Sequence, residues 1–307
     1  MNRKKLIAFS LSLAMTVVPV TPAAAAGAEQ NTEGLQNAVL DLEFENSLED
    51  SSGKGNNGTL SSGEAEYVDG VVGKGLKMNG SSYVNLGNST DLQPENLTLS
   101  FWIRPDSDMK GEELLSWNKN EWYTDGWYLS SENDNTPLTL SVGPAKANGQ
   151  PYRVSVSGKR SEFLPTGEWT HIAVTYDKDS KEICFYRNGV KCSTVTTYGI
   201  SGESTGVLGS DATMEKSIGY NGPKYKGAYL KASLDEYQLY NDVATPEEVI
   251  ALYEESGQTF DRKAVAQADL DKISIPETTQ ENLSLPTTGE SGSVISWSSD
   301  NEAVVAA

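Results

Sequence analysis

Residues 167–192 read GEWTHIAVTYDKDSKEICFYRNGVKC. From His171 to Tyr176 the chain is β-branched and aromatic, and Ile172, Val174 and Tyr176 alternate onto one face, which is the pattern of a strand. Asp177–Ser180 is a polar turn, and a second strand follows from Glu182 to Arg187. Asn188-Gly189 then separates two β runs. Both residues of such a turn need positive φ, which Asn and Gly adopt most readily, so the pair signals a hairpin. The stretch is an antiparallel meander. With a two-residue turn, Arg187 faces Val190 and Phe185 faces Cys192. Cys184 and Cys192 then lie on opposite sides of the sheet, where a direct disulfide is sterically unfavourable; a three-residue loop would reverse that conclusion.

The same alternation extends outward in both directions. Residues 39–48 place Leu40, Leu42 and Phe44 on one face, and residues 97–105 do the same with Leu97, Leu99, Phe101 and Ile103. Trp102, on the opposite side of that strand, reads as structural. Further strands are expected within 73–86, 138–142, 151–157, 214–220 and 230–241. Thr245-Pro246 opens a short helix, with Glu248 three residues after the Thr to complete a capping box and Gly257 to end it. The fold class is all-β: an antiparallel two-sheet jelly-roll sandwich over residues 38–257 with one short C-terminal helix.

Five separated segments carry a family resemblance. They are the 167–192 meander, the Phe44-Glu45 strand with the Asp50–Thr59 loop, the 73–86 stretch, the Leu97–Pro105 strand, and Leu234-Asp235-Glu236 with the 245–253 helix. Together they resemble the laminin-G-like (concanavalin A-like) jelly-roll domains of secreted bacterial carbohydrate-active enzymes. The resemblance implies carbohydrate binding and, in the N-terminal loop, a structural calcium ion. The loop's residues agree: Ca²⁺ takes six to eight oxygens, and Asp50 and Asn56 sit in an acidic, Asn-rich turn. A solvated turn that caps its own backbone is the alternative. Glu45 and Asp235 complete the candidate metal ligands.

Aromatic residues concentrate at 114–129, where Trp117, Trp122, Tyr123 and Trp127 are the candidates for stacking on a sugar ring. Trp122 and Tyr123 lie in a polar loop; Trp127 heads a strand and reads equally as core.

Composition narrows the remaining classes. The chain has 307 residues and a formal net charge of −19, which disfavours nucleic-acid phosphates. Two Cys and one His leave little for a Cys/His zinc site. His171, the single histidine, falls inside a predicted strand, so a Ser-His-Asp triad is disfavoured. The carboxylate pairs Glu43/Glu45 and Asp235/Glu236 read as solvated edges or calcium ligands, and no catalytic site emerges.

Residues 1–26 carry a basic start, an apolar run and an Ala-rich cleavage site, which together read as a secretory signal peptide. A secreted, extracellular bacterial protein with no membrane span in the mature chain is expected. Residues 27–37 and 258–269 read as linkers, and 270–307 as the start of a bacterial immunoglobulin-like domain, incomplete as a β domain. Further domains of the same polypeptide are expected as partners. Leu285-Pro-Thr-Thr-Gly289 matches a sortase motif, but no hydrophobic span and basic tail follow it, so cell-wall anchoring there is rejected. The function expected is a polysaccharide- or glycan-binding accessory module of a larger secreted glycoside hydrolase, with a non-catalytic adhesion or spacer domain of a surface protein as the alternative.

Overall fold

The computed structural model describes residues 13–16, 35, 38–106, 113–119, 126–131, 133–143, 152–198, 215–220, 229–274 and 284–299. The chain divides into two compact units, Asn31–Phe260 and Met1–Gln30 with Asp261–Ala307.

The larger unit is built from two antiparallel sheets. In the first, the strands Val190–Lys191, Ile183–Arg187, Thr170–Tyr176, Leu97–Pro105, Lys231–Tyr240, Lys74–Asn79 and Glu66–Asp69 lie side by side in that order, and Ala38–Leu42 pairs with part of Lys231–Tyr240. In the second the order is Thr194–Tyr198, Tyr152–Val156, Thr139–Val142, Gly126–Ser131, Glu113–Lys119, Ser217–Ile218, Val84–Asn85 and Thr59–Leu60. The inner faces share one core. Leu97, Leu99, Phe101, Ile103, Ile172, Val174, Tyr176 and Phe185 from the first sheet pack with Trp127, Leu129, Leu140, Val142, Val154 and Ile218 from the second. Each strand contributes alternate residues because side chains point to opposite faces at successive positions.

The meander forms as its sequence predicts. Tyr186 pairs with Lys191 and Arg187 with Val190, so Asn188-Gly189 is a two-residue turn, with φ of 49° and 78°. Cys192 donates its N–H to the Phe185 carbonyl at 2.8 Å. Cys192 packs on the central core, whereas Cys184 belongs to a second cluster with Ala173, Tyr186, Ala244 and Val249. Both thiols are unbridged.

That second cluster lies where a helix covers the outer face of the first sheet. The described residues contain three α-helices: α1 (Arg160–Phe163), α2 (Pro246–Glu255) and α3 (Arg262–Asp271). In α2, Thr245 N–H donates to Glu248 Oε2 at 2.7 Å and Glu248 N–H donates to Thr245 Oγ1 at 3.3 Å, the reciprocal capping box. Val249, Ile250 and Leu252 form its buried stripe.

The stretch expected as a linker, 258–269, holds most of α3, which runs on to Asp271. Asp261 caps it by accepting Ala264 N–H at 2.9 Å, and Ala266 and Asp269 are its buried residues. The polar composition of 258–269 concealed a helix whose burial rests on two positions. In the same unit, Ser296–Ser299 pairs antiparallel with Leu13–Thr16. An apolar run such as 13–16 readily supplies a partner to a strand edge. No helix among the described residues is long and apolar enough to cross a membrane.

Candidate functional site

The four sugar-stacking candidates separate. Trp127 is fully buried in the central core, and its indole N–H donates to the Leu92 carbonyl at 3.4 Å. It presents no face to a ligand, which corrects its placement among the binding residues: as the second residue of Gly126–Ser131 it falls on the inward-facing alternation. Trp117 belongs to Glu113–Lys119, where its backbone pairs opposite Tyr128 and Ser217. Trp122 and Tyr123 lie outside the described residues.

The structure assembles a different aromatic cluster. Tyr83, Tyr220 and Tyr229 come from three separate parts of the chain and stack. Ring centroids are 4.9 Å apart for Tyr83–Tyr220, 4.6 Å for Tyr220–Tyr229 and 6.4 Å for Tyr83–Tyr229, with interplanar angles of 21°, 8° and 21°. Tyr83 and Tyr229 are only half-buried. Burial raises the phenol pKa values of Tyr83 and Tyr220, so their hydroxyls stay protonated and able to donate. Nothing in a linear reading joins positions 83, 220 and 229; pairing of Ser217–Ile218 with Val84–Asn85 brings the first two together.

Across the second sheet, the face turned away from the core is polar. Tyr128, Ser130, Thr139, Ser141, Ser155 and Ser217 occupy it, all of them buried. The Arg153 guanidinium lies 6.0 Å from the Tyr128 ring centre, and Thr139 Oγ1 and Ser155 Oγ are 2.8 Å apart.

On the outer face of the first sheet, Ser100 Oγ and His171 Nε2 are 2.9 Å apart. This is a serine–histidine pair without the rest of a triad: His171 Nδ1 has no hydrogen-bond partner, so no carboxylate orients the ring. Burial alone drives the His171 pKa down to about 3, which makes the imidazole a poor base. The imidazole packs against the rings of Trp102 and Tyr253, at centroid distances of 5.2 and 5.7 Å.

The four metal-ligand candidates fall into two pairs. Asp50 holds its own loop: Oδ1 accepts N–H groups of Asp41 (2.9 Å) and Ser52 (3.0 Å), and Oδ2 accepts that of Asn56 (2.8 Å). Burial works to raise its pKa, but hydrogen bonds from Ser52, Asp41 and Asn56 outweigh burial and leave it lowered. The Asn56 amide donates to the Val39 carbonyl at 2.7 Å. These contacts tie both residues to their own turn and its neighbouring backbone. Glu45 and Asp235 instead flank the 70–74 loop. Glu45 Oε1 accepts Lys74 N–H at 2.8 Å, and Asp235 Oδ2 accepts those of Val71 (2.6 Å) and Val72 (3.0 Å). The loop approaches so closely that a Cβ on Gly70 would meet Asp235 Oδ2 at 2.4 Å, and one on Gly73 would meet Glu45 Oε1 at 2.0 Å.

These carboxylates crowd one another. Burial first, then repulsion from Asp235, Asp41, Glu43 and Glu45, pushes Glu236 up to about 8. Asp235 rises to about 6, chiefly by burial, with Glu45 adding repulsion against the amides that stabilise its anion. Among the described residues, no three His, Cys, Asp or Glu side chains are gathered at metal-binding geometry.

Two packed antiparallel sheets over a shared core, with a helix on one outer face, define a lectin-type jelly-roll sandwich. Residues 78–250 match the Laminin_G_3 family, the concanavalin A-like lectin/glucanases superfamily, and the chain belongs to it. Residues 263–307 match the atrophied bacterial Ig domain. No curated protein sequence matches this chain. Among solved structures, domain 4 of an extracellular arabinanase from Geobacillus stearothermophilus, in complex with arabinotriose, is similar at 22% identity and a TM-score of 0.53, covering 72% of this chain and 100% of that one. The binding domain of Paraclostridial Mosquitocidal Protein 1 is similar at 22% identity and a TM-score of 0.53, over 71% of this chain and 52% of that one. The botulinum neurotoxin serotype D binding domain gives 20% identity and a TM-score of 0.52, over 72% and 52%. The chain thus spans about half the length of these two toxin domains.

Proposed function

We propose that residues 31–260 are a carbohydrate-binding accessory module of a larger secreted glycoside hydrolase. The observation that carries the reading is the Tyr83–Tyr220–Tyr229 stack, an aromatic surface that still reaches solvent. Flat rings with a polar rim suit the apolar face of a sugar, and the hydroxyls suit its edge. Trp122 and Tyr123, read from the sequence as lying in a polar stretch, are further stacking candidates. The similar arabinanase domain holds arabinotriose, which makes arabinan and arabino-oligosaccharides the first ligands to try. Secretion follows from the signal-peptide pattern of residues 1–26.

The test is a glycan array and titration with linear arabinan on the whole protein. Saturable binding that weakens about tenfold in Tyr83→Ala and in Tyr229→Ala, with melting temperatures near wild type, supports the module. An array with no bound glycan favours an adhesion or spacer domain instead.

Calcium is proposed for the Glu45–Asp235 side of the sandwich, where two carboxylates flank the 70–74 loop and a cation would relieve the repulsion between them. Bound there, it would add a fixed positive charge that holds the 70–74 loop against the sheet.

A further inference from the structure

Arg104 follows Trp102 by two residues on the strand Leu97–Pro105, so it stands on the same outer face of the first sheet. Register sets it in a row across three strands: Arg104 pairs opposite Ser233, and Ser233 opposite Lys77. Trp169, just ahead of Thr170–Tyr176, meets the row from the other side, and the Arg104 guanidinium carbon lies 4.8 Å from its ring centre. The far edge of that indole reaches Gly75, where an added Cβ would meet Trp169 Cη2 at 3.3 Å. A guanidinium held over an aromatic ring spends its flat face there and keeps its rim of N–H donors for other partners.

Most of that rim is unused. Among the described residues Arg104 makes one hydrogen bond, from Nη2 to Ser233 Oγ at 3.4 Å. Its Nε and Nη1 have no protein partner, and neither is a buried atom, so both meet solvent. The chain has acid to spare, 43 Asp and Glu against 24 Lys and Arg, yet the nearby carboxylates serve the lysines. Lys77 is paired with Asp106, and Lys74 with Asp69 at 2.7 Å. Asp69 feels the Arg104 charge without forming an ion pair with it. Glu66 stands at the far end of the row, with Lys77 and Ser233 between it and Arg104. Lys231, exposed two residues before Ser233, adds a further positive charge to this face. The row therefore ends in a planar cationic fork with no carboxylate of its own.

We propose that Arg104 anchors the carboxylate of a uronic-acid sugar, held bidentately on the open rim of its guanidinium, with Trp169 beside the sugar ring and Lys231 drawing the anion in. Planar donors match a planar carboxylate. With Lys77 and Lys74 already balanced by Asp106 and Asp69, one free guanidinium offsets the single charge of a carboxylate; a phosphate monoester carries nearly two. The partly buried indole next to the fork suits the apolar face of a pyranose, which a carboxylate on a flexible peptide side chain lacks. The site shares no residue with the tyrosine stack and stands apart from the arabinan reading attached to it.

Calorimetric titration of the whole protein at pH 7 in low salt, in buffer freed of metal ions by a chelating resin, tests the assignment. Sodium glucuronate is the probe, and glucose, acetate, inorganic phosphate and a tetraglutamate peptide are the comparisons. Saturable glucuronate binding, tighter than that of acetate and absent for glucose, is the expected result. Arg104→Met, which keeps the stem and removes the fork, should weaken it about tenfold or more. Arg104→Lys, which keeps the charge without the fork, should recover only part of that loss. Melting temperatures report whether each variant is folded, and Arg104→Lys carries the test if Arg104→Met is not. No saturable glucuronate binding, equal binding of glucose or acetate, or binding unchanged in the folded Arg104 variants overturns the proposal. Tighter binding of phosphate or of tetraglutamate overturns it too, by assigning the fork to a phosphorylated ligand or to an acidic protein. Loss of arabinan binding in the tyrosine variants leaves these titrations unaffected, so the two readings fail separately.

Discussion

Ser100 Oγ sits 2.9 Å from His171 Nε2, on a strand face roofed by α2, and the buried imidazole couples folding to pH on the acid side. The His171 pKa falls from 6.5 to about 3 through burial. A base with a depressed folded pKa contributes stability that is present above its unfolded pKa. That stability is lost as pH falls from 6.5 towards 3, because the unfolded chain takes up the proton first. At pH 5 the loss is about 2 kcal/mol. Urea midpoints measured from pH 7 to 4 for wild type and His171→Asn should diverge. The variant starts less stable but has the flatter acid limb. Parallel curves would show that His171 does not titrate on unfolding.

Glu236 acts in the opposite direction. Its folded pKa of about 8 lies above the ordinary 4.5, so its contribution is greatest below pH 4.5 and is lost as pH rises through 8. Asp41 and Asp235, both raised to about 6 chiefly by burial, add the same sign at lower pH. Glu236→Gln should therefore stabilise the protein at pH 8 by about 1 kcal/mol, after allowance for its partial exposure, and do little at pH 4.5. Equal effects at both pH values would rule out titration as the cause.

Trp127→Ala should destabilise the sandwich by about 3–5 kcal/mol, since the indole is fully buried in the central core. Chemical denaturation measures the loss. A folded variant of near-wild-type stability that had lost only sugar binding would return Trp127 to the ligand surface.

These contrasts show where sequence reading succeeds. The 167–192 meander, the 97–105 strand and the capped α2 were legible because period-2 alternation, Asn-Gly turns and Thr-Pro-Glu-Glu caps act over a few residues. Trp117, Trp122, Tyr123 and Trp127 formed a cluster in sequence, yet alternation alone sends Trp127 inward. Tyr83, Tyr220 and Tyr229 were invisible for the converse reason: they meet only after distant strands pair. Asp50 and Asn56 had the composition of a metal loop, and in the fold the Asp50 oxygens accept backbone N–H groups while the Asn56 amide donates to a backbone carbonyl. The Gly70 and Gly73 spacing was the local hint that backbone closes on the Asp235 and Glu45 carboxylates.

Calcium at the Glu45–Asp235 side predicts linkage to stability. A ligand that binds only the folded state stabilises it by about 2.7 kcal/mol at a hundredfold excess over its dissociation constant. Adding Ca²⁺ after EGTA should raise the melting temperature of wild type and leave that of Glu45→Gln unmoved. A wild-type melting temperature indifferent to both additions would remove the ion from this side of the protein.

Leu285–Gly289 has the letters of a sortase signal, and its local structure opposes cleavage. Thr288 bridges Val294, Gly289 N–H donates to the Ser293 carbonyl at 2.8 Å, and Ile295 N–H donates to that of Thr287 at 2.9 Å. The turn closes over Asp269, which is 2% exposed and accepts N–H groups of Ser291 (2.9 Å) and Ser293 (3.3 Å). Gly289 is packed so tightly that an added Cβ would meet Asp269 Oδ2 at 2.3 Å. A protease-like active site must draw its substrate out as an extended strand, so the Thr288–Gly289 bond is presented only after these contacts open. Hydrogen bonds to a charged group contribute about 1.5–3 kcal/mol each, and removing the carboxylate should raise the open population roughly tenfold or more. Incubated with sortase and a triglycine peptide, the wild-type chain should give little transpeptidation product by mass spectrometry, and Asp269→Ala should give more at the same bond. Rapid, quantitative product from wild type would show that the turn is open in solution.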